Sequence, residues 1–425
     1  MKQLIHTIKT PIQATVAIPG SKSITNRALL LAALAEGVSE ILDMLISDDT
    51  LAFVEALHEL GIAVQLDEES RSCIVAGCGG HFPKREASIW CNDAGTVGRF
   101  LLAACAASSG AYHFDATDQL RSRPIAPLLR ALAAQGVKFI PENAEQMPLT
   151  MIGKEGLPGG ELEIPGEETS QFISALLMVA PFAKSAMTLI TQDIVSRPYV
   201  EMTCAMMADF GVMVRRMHNA RFSVPPQQRY TARDYVVEPD MSTASYFFAA
   251  AAVTGGEIRI QPIDRAHCKQ GDVAFLTVLE KMGCVVTETE AALKVKGPSV
   301  LNGVSVDMRD FSDTFMTLAA LAPFASTPTI ITNISHTRHQ ESNRISTMRR
   351  ELEKLKVNVE EGADWIKIYP SEPVAGVIDS HQDHRIAMAF SIIGLRVDGI
   401  EIESAECVAK TCPEFFEMWR ALSER

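Results

Sequence analysis

The sequence predicts an α/β protein of two domains, built from one βαβαββ unit used six times, three per domain. Three observations carry that prediction. The chain has 425 residues, too many for one hydrophobic core and enough for two domains of ordinary size. Apolar residues make up 47% and aromatics only 6%, so the core is drawn from Ala, Leu, Ile, Val and Met, as in helix-rich α/β proteins. The third observation is a recurring pattern: a polar cluster, an Ala/Leu-rich run with helical spacing, a small-residue break and a strand-like segment.

The pattern opens with IPGSKSITNRALLLAAL from Ile18. It returns as NDAGTVGRFLLAACAASSGAYHFDA from Asn92 and ETSQFISALLMVAPFAKSAMTLI from Glu168. Three more copies begin at Asp240, Asp310 and Asp379. Aligning Lys22, Gly95, Ser170, Thr243, Asp313 and His384 gives a period of about 70–75 residues, longer than common solenoid repeats. A second helical run follows each strand, as in SDDTLAFVEALHELGIAV and SRPYVEMTCAMMADFGVMV, and in all but the last unit short β-like segments come after it. A division near Pro239 then places residues 20–238 in one domain, and residues 1–19 with 239–425 in the other. The strand from about Gln13 to Ile18 precedes the first unit, so it is expected to pair with the second domain.

The net charge of −13 argues against nucleic acid or an anionic membrane as partner, yet leaves room for a locally basic site that takes small anions. The nine cysteines show no CxxC pair or zinc-type spacing, which suits reduced thiols in a cytoplasmic protein. No signal peptide and no membrane-spanning run is evident.

Helix N-termini attract anions, because unpaired N–H groups and the helix dipole both favour negative charge. Ser242, Thr25 and Asp49 read simply as N-caps. Lys22, Arg123, Arg197, Arg344, Arg385 and Lys410 do not: cations are disfavoured near such ends unless an anion sits there. The stretch Gly20-Ser21-Lys22-Ser23 invites a nucleotide-loop reading, but Thr15 stands where the first glycine of that motif belongs. His381, Asp383 and His384 form a possible metal set, but no further cluster has a matching spacing, so neither metal nor cofactor is expected.

PGSKSITNRALLLAALAEG, NDAGT, RPI, SQFISALLM, SRPY, ASYFFAAAA, QGD, SDTFMTLA, DHRIAMAF and KTCPEFF follow one another in an order and spacing that resembles the 5-enolpyruvylshikimate-3-phosphate synthase family over essentially the whole chain. The resemblance implies that each domain is an inverted α/β barrel and that the active site lies in the cleft between the two. It implies transfer of the enolpyruvyl group of phosphoenolpyruvate to shikimate 3-phosphate, by a cytoplasmic monomer of the shikimate pathway of aromatic amino-acid biosynthesis. By that similarity shikimate 3-phosphate meets Lys22, Ser23, Arg27, Thr169, Ser170, Gln171, Ser196, Tyr199, Asp313 and Gln340. Phosphoenolpyruvate meets Lys22, Gly95, Arg123, Gln171, Arg344, His384, Arg385 and Lys410. Asn92, Ala94 and Thr96 would shape the turn that exposes the Gly95 backbone, and a methyl group at Gly95 would crowd glyphosate, to which the resemblance implies sensitivity. The catalytic residues implied are Lys22, Asp313 and Glu341: Asp313 takes the attacking hydroxyl's proton and Glu341 trades the proton at C3.

The chain departs from the family pattern at several positions. Gln340 replaces a lysine that helps hold the shikimate phosphate, and His336 replaces an asparagine. Arg197, Arg338 and His339 are candidates to restore the missing charge. Phe100 stands in place of a proline, and Glu168 adds a negative charge beside Thr169 and Ser170. A related fold, UDP-N-acetylglucosamine enolpyruvyl transferase, carries a reactive cysteine in a loop that here reads TDQLRSR, residues 117–123, with none.

Overall fold

A computed structural model describes residues 1–217, 220–289 and 292–422. The chain forms two compact units, Gly20–Glu238 and Met1–Pro19 with Pro239–Arg425. Each has its own hydrophobic core.

In the unit Gly20–Glu238, helices α1 (Lys22–Leu34), α3 (Gly95–Ala107) and α6 (Ser170–Val179) open the three repeats. They are buried almost end to end, α3 at every residue. An all-round apolar helix belongs inside a core, and the many alanines let such helices pack closely. The second helices are α2 (Asp48–Glu59), the pair α4 (Asp118–Arg121) and α5 (Ala126–Ala134), and α7 (Arg197–Asp209). Three four-stranded sheets complete the unit, with strand patterns that alternate buried and exposed residues. Helices therefore lie inside and sheets outside, the inverted arrangement.

The second unit repeats the scheme with α8 (Met241–Thr254), α10 (Phe315–Leu321) and α12 (His384–Gly394) as its buried helices. The helices α9 (Phe275–Lys281), α11 (Arg344–Lys354) and α13 (Phe415–Arg420) come second in each repeat. Two sheets have four strands and one has three.

Every four-stranded sheet joins one parallel pair to an antiparallel hairpin, which is the βαβαββ unit: Glu86–Trp90 runs parallel to Gly110–Asp115, and Leu149–Gly153 and Lys138–Ile140 follow antiparallel. Two units acquire their opening strand from elsewhere in the chain. Gln13–Val16 pairs parallel with Glu257–Ile260, so the N-terminal strand opens the fourth repeat. The first repeat instead takes Tyr235–Val236, parallel to Ile41 and Leu42, which sequence pattern does not reveal in a two-residue strand. Among the described residues no hairpin follows the sixth repeat's helices, and Gln3–Ile5 pairs antiparallel with Ile400–Glu403.

The chain passes between units at Pro19–Gly20 and Glu238–Pro239, and the two crossings pair within each unit: Ser21 N–H donates to the Glu238 carbonyl (2.8 Å) and Asp240 N–H to the Pro19 carbonyl (2.9 Å). Gly20 is required there, since a Cβ would stand 2.1 Å from the Asp43 carbonyl oxygen.

Candidate active site

The aligned positions fall at helix starts. Lys22, Gly95, Ser170 and His384 are the first residues of α1, α3, α6 and α12, and Asp313 lies in the 3₁₀ turn Ser312–Thr314 that leads into α10. The expected caps are corrected. Asp240 caps α8 by accepting from the Thr243 N–H (2.7 Å), and Ser242 instead donates to Asp240. Thr25 lies inside α1, where its hydroxyl accepts from the Leu45 N–H (3.1 Å). Ser47 caps α2 reciprocally with Thr50, and Asp49 instead forms an ion pair with Lys22. Lys410 ends the 3₁₀ helix Ala405–Lys410, and Arg123 lies between α4 and α5, so neither starts a helix.

In the unit Gly20–Glu238, the Lys22 Nζ is 3.0 Å from a carboxylate oxygen of buried Asp49. Asn92 adopts a left-handed backbone (φ 49°), and the turn closes when the Ala94 N–H meets the Cys91 carbonyl (2.9 Å). A Cβ at Gly95 would lie 2.9 Å from Arg99 Nη1 and 3.4 Å from both Arg123 Nη1 and Gln171 Oε1. Three polar side chains thus converge on one glycine. Arg99, which sequence reasoning passed over, is buried and donates to Gln171 Oε1 (2.7 Å) and to the Pro124 carbonyl (2.8 Å). Thr169 caps α6 through the Gln171 N–H (3.2 Å), Ser170 is buried, and Ser196 precedes α7 in a left-handed conformation (φ 50°).

Arg27, expected among the acceptor's contacts, is braced by its neighbours. It is 1% exposed, and its guanidinium donates to Thr203 Oγ1 (2.7 Å), the Ser23 carbonyl (2.9 Å) and Ser174 Oγ (3.3 Å). The ring of Phe100 lies 5.1 Å away and that of Tyr199 5.9 Å, so the residue found in place of proline supplies a cation–π floor. Burial pushes the Arg27 pKa down to about 10, with Tyr199 acting the other way, and the group keeps its charge at neutral pH. Glu168 is exposed, where water screens its charge.

The second unit gathers four of the expected or suspected side chains around one guanidinium. Arg344, first in α11 and 1% exposed, donates to Asp383 Oδ2 (2.8 Å) and Oδ1 (3.3 Å), Asp313 Oδ1 (3.2 Å), Glu341 Oε2 (2.8 Å) and Gln340 Oε1. All five of its N–H donors are thereby engaged. Burial works against its charge, but Asp383, Glu341 and Asp313 outweigh that and raise its pKa. Arg385 donates to the other Asp313 oxygen (2.8 Å), and His384 is buried beside the Asp383 cap. Glu341 and Asp313 are thus both held in ion pairs with this guanidinium. The side chain of Gln340 serves Arg344 as an acceptor, a service no lysine provides. Of the candidates to replace the family's lysine, Arg338 is committed to the Ala363 carbonyl (2.9 Å) and Asn343 Oδ1 (3.0 Å). Arg197 pairs with Glu201, and His339 is exposed. No group of three or more His, Cys, Asp or Glu suited to a metal ion occurs among the described residues.

His336 is buried, bonded through Nε2 to Ser312 Oγ (2.8 Å), while its Nδ1 has no partner among the described residues. Burial pushes its pKa down from 6.5 to about 4; Asp313 opposes the shift, and Arg309 and Arg344 assist it. In the unfolded chain this imidazole binds a proton near its ordinary pKa, which the folded state refuses. Its contribution to stability is then complete above about pH 6.5 and is lost as the pH falls towards 4. Urea midpoints measured across that window should fall less steeply for His336→Asn than for the wild type; equal slopes would refute this.

Buried guanidinium groups held by carboxylates, with lysine and arginine at or near helix starts, are suited to binding small anions. The sequence profile of EPSP synthase (3-phosphoshikimate 1-carboxyvinyltransferase) matches residues 6–419. The chain is 45% identical over 414 residues to the 3-phosphoshikimate 1-carboxyvinyltransferase of Trichormus variabilis, covering 97% of each. It is 39% identical over 426 residues to that of Shewanella oneidensis, covering 99% of this chain and 100% of the relative. The solved structure of EPSP synthase from Acinetobacter baumannii superposes with a TM-score of 0.83 at 24% identity, over 99% of this chain and 98% of that one, and so shares the fold. The chain belongs to the EPSP synthase family.

Proposed function

We propose that Lys22, Asp313 and Glu341 carry the proton traffic of the family's reaction, transfer of the enolpyruvyl group of phosphoenolpyruvate to the 5-hydroxyl of shikimate 3-phosphate. The observation behind this reading is that Asp313 and Glu341 share one buried guanidinium, that of Arg344. A substrate carboxylate can reach Arg344 only by taking a position one of these side chains holds. Displaced from its counter-ion, a carboxylate rises in pKa: Asp313 becomes a better base, and Glu341 takes up from solvent the proton it will deliver.

The acceptor oxygen then bonds to C2 of phosphoenolpyruvate while its proton passes to Asp313, and Glu341 delivers a proton to C3, which becomes a methyl group. In the second half the C2–O bond to phosphate breaks, the methyl group returns a proton to Glu341, and the double bond reforms. Each positioned proton transfer contributes about 10²–10⁴ in rate. Lys22 protonates the departing phosphate and is reprotonated from solvent, while Asp313 gives up to solvent the proton it took from the hydroxyl. Arg123, Arg344, Arg385 and Lys410 neutralise the donor's anionic groups, the arginine forks matching carboxylate and phosphate bidentately. Gln171 and His384 give hydrogen bonds to the donor. Ser23, Arg27, Thr169, Ser170, Gln171, Ser196, Tyr199 and Gln340 line the acceptor's place, beside Lys22 and Asp313.

Phosphate release from phosphoenolpyruvate, dependent on shikimate 3-phosphate and measured with excess chelator, tests the reaction and its independence from metal. Turnover without the acceptor, or none with it, would overturn the reading.

Gly95 supports a further expectation, sensitivity to glyphosate. The contacts a methyl group would make with Arg99, Arg123 and Gln171 are tight, and overpacking of this kind typically costs 1–3 kcal/mol. The Gly95→Ala enzyme should need about tenfold more glyphosate for half-inhibition, with a raised KM for phosphoenolpyruvate. Unchanged inhibition, or a wild type indifferent to glyphosate, would contradict this.

All nine cysteines are free thiols, which supports a reducing, cytoplasmic setting. No described helix is long and apolar enough to cross a membrane. One chain carries both sets of residues, which supports action as a monomer; sedimentation at a single species of one chain mass is the test.

A further inference from the structure

Behind the Arg344 cluster lies a second buried carboxylate for which the reaction has no use. Glu351 follows Arg344 by two helical turns on α11, so the two share a face, and it is equally buried at 1% exposed. Its Oε2 accepts from the Asp379 backbone N–H (3.0 Å) and Lys354 Nζ (2.6 Å), and its Oε1 from His381 Nε2 (3.0 Å). Asp379 ends the strand Gly376–Asp379, and only four residues separate it from α12.

In that short passage His381 and Gln382 both adopt left-handed backbones, with φ of 52° and 57°. Non-glycine residues rarely do so, and two in succession persist only where their surroundings fix them. Asp379 Oδ1 accepts from the His381 N–H (2.8 Å), and the Asp383 N–H reaches back to the Ser380 carbonyl (2.9 Å). These two residues set the direction in which the chain enters α12, and so the place of Asp383, His384 and Arg385. Helix α11 thus grips the passage at both ends: through Arg344 on Asp383, and two turns later through Glu351 on Asp379 and His381.

We propose that Glu351 and His381 form a clamp that holds this left-handed turn and thereby positions Arg344, Asp383 and Arg385 for the enolpyruvyl donor. The inference rests on the reading of Arg344 and Arg385 as donor-binding residues. Glu351 and His381 are positioning residues; neither is assigned contact with substrate.

Steady-state kinetics of Glu351→Gln, His381→Asn, the double variant and Arg385→Lys separate the possibilities. Glutamine keeps the volume of Glu351. Asparagine tolerates the left-handed backbone but is too short to keep the bond to Glu351. Each single variant should raise the KM for phosphoenolpyruvate about tenfold and leave that for shikimate 3-phosphate within about twofold, because small misplacements of binding groups are costly. The double variant should be no worse than the more impaired single, since both break one contact. A lower unfolding temperature with both KM values unchanged would mean that Glu351 only supports the fold, and would overturn the clamp. If Glu351→Gln does not fold, His381→Asn alone decides the matter by the same KM comparison. If Arg385→Lys leaves the KM for phosphoenolpyruvate unchanged, the donor-site reading falls and the clamp with it. If Arg385→Lys raises that KM and the clamp variants do not, the clamp alone falls.

Discussion

Replacing Glu341 by glutamine is expected to lower kcat by about 10²–10⁴-fold while leaving the KM for phosphoenolpyruvate equal to or below that of the wild type. The two parts of this expectation come from different properties of one side chain. Glutamine keeps the length of Glu341, and its carbonyl still accepts from Arg344, so the geometry around that guanidinium survives. What disappears is the group proposed to give a proton to C3 and take one back, so the loss should fall on the chemical steps. Around Arg344 and Arg385 stand three carboxylates, Asp313, Glu341 and Asp383, one more than the guanidiniums. Removing one charge makes the cluster less repulsive to an anionic donor, which is why binding should not suffer. Rapid-quench phosphate release gives the rate. Exchange of the C3 hydrogens of phosphoenolpyruvate with deuterated solvent identifies the step, and the variant should lose it. A kcat within about threefold of the wild type, or undiminished exchange, would remove Glu341 from the proton path.

Much of this arrangement is legible in the sequence because it is local. The starts of α1, α3, α6 and α12 and the turn before α10 fall on Lys22, Gly95, Ser170, His384 and Asp313, since a polar cluster followed by a buried Ala/Leu run leaves little freedom about where a helix begins. What the sequence hides is non-local. Tyr235–Val236 is too short for any periodicity, and its place beside Val38–Leu42 depends on contacts nearly two hundred residues apart. Asp49 resembles a cap because acidic residues favour the first turn, and only the Ser47–Thr50 pairing shows that the cap is taken. Arg344 resembles an open anion site, whereas Asp313 and Asp383 reach it from distant parts of the chain and fill it. Arg99 is hidden by a helix buried at every residue, where a charged side chain makes sense only once Gln171 and the Pro124 carbonyl are in place.

The same non-local pairing predicts the largest loss of stability. Asp383 is fully buried and receives four kinds of donor: Arg344 Nε (2.8 Å) and Nη2 (3.3 Å), Ser342 Oγ (2.9 Å) and the Arg385 N–H (3.0 Å) that it caps. Asp383→Ala is expected to cost about 3–5 kcal/mol of unfolding free energy, the usual loss when one partner of a buried ion pair is removed and the other stays buried. Loss of the helix cap alone would cost only about 1 kcal/mol, so the size of the effect tells the two contributions apart. Asp383→Asn sharpens the comparison. Asparagine caps a helix as well as aspartate does, so its deficit reports the missing charge beside Arg344, and the remaining gap to alanine reports the cap. Arg344 would keep Glu341 and Asp313 in both variants, drawn closer by a guanidinium with fewer acceptors. The KM for phosphoenolpyruvate should then rise in both variants, because Arg344 and Arg385 lose the anchor that fixes their separation. Urea unfolding followed by circular dichroism gives the free energies, with the slope checked for a change in the unfolded state. A loss below about 1 kcal/mol in the alanine variant would show that water or another side chain takes over from Asp383, and that the carboxylate is not what holds the cluster together.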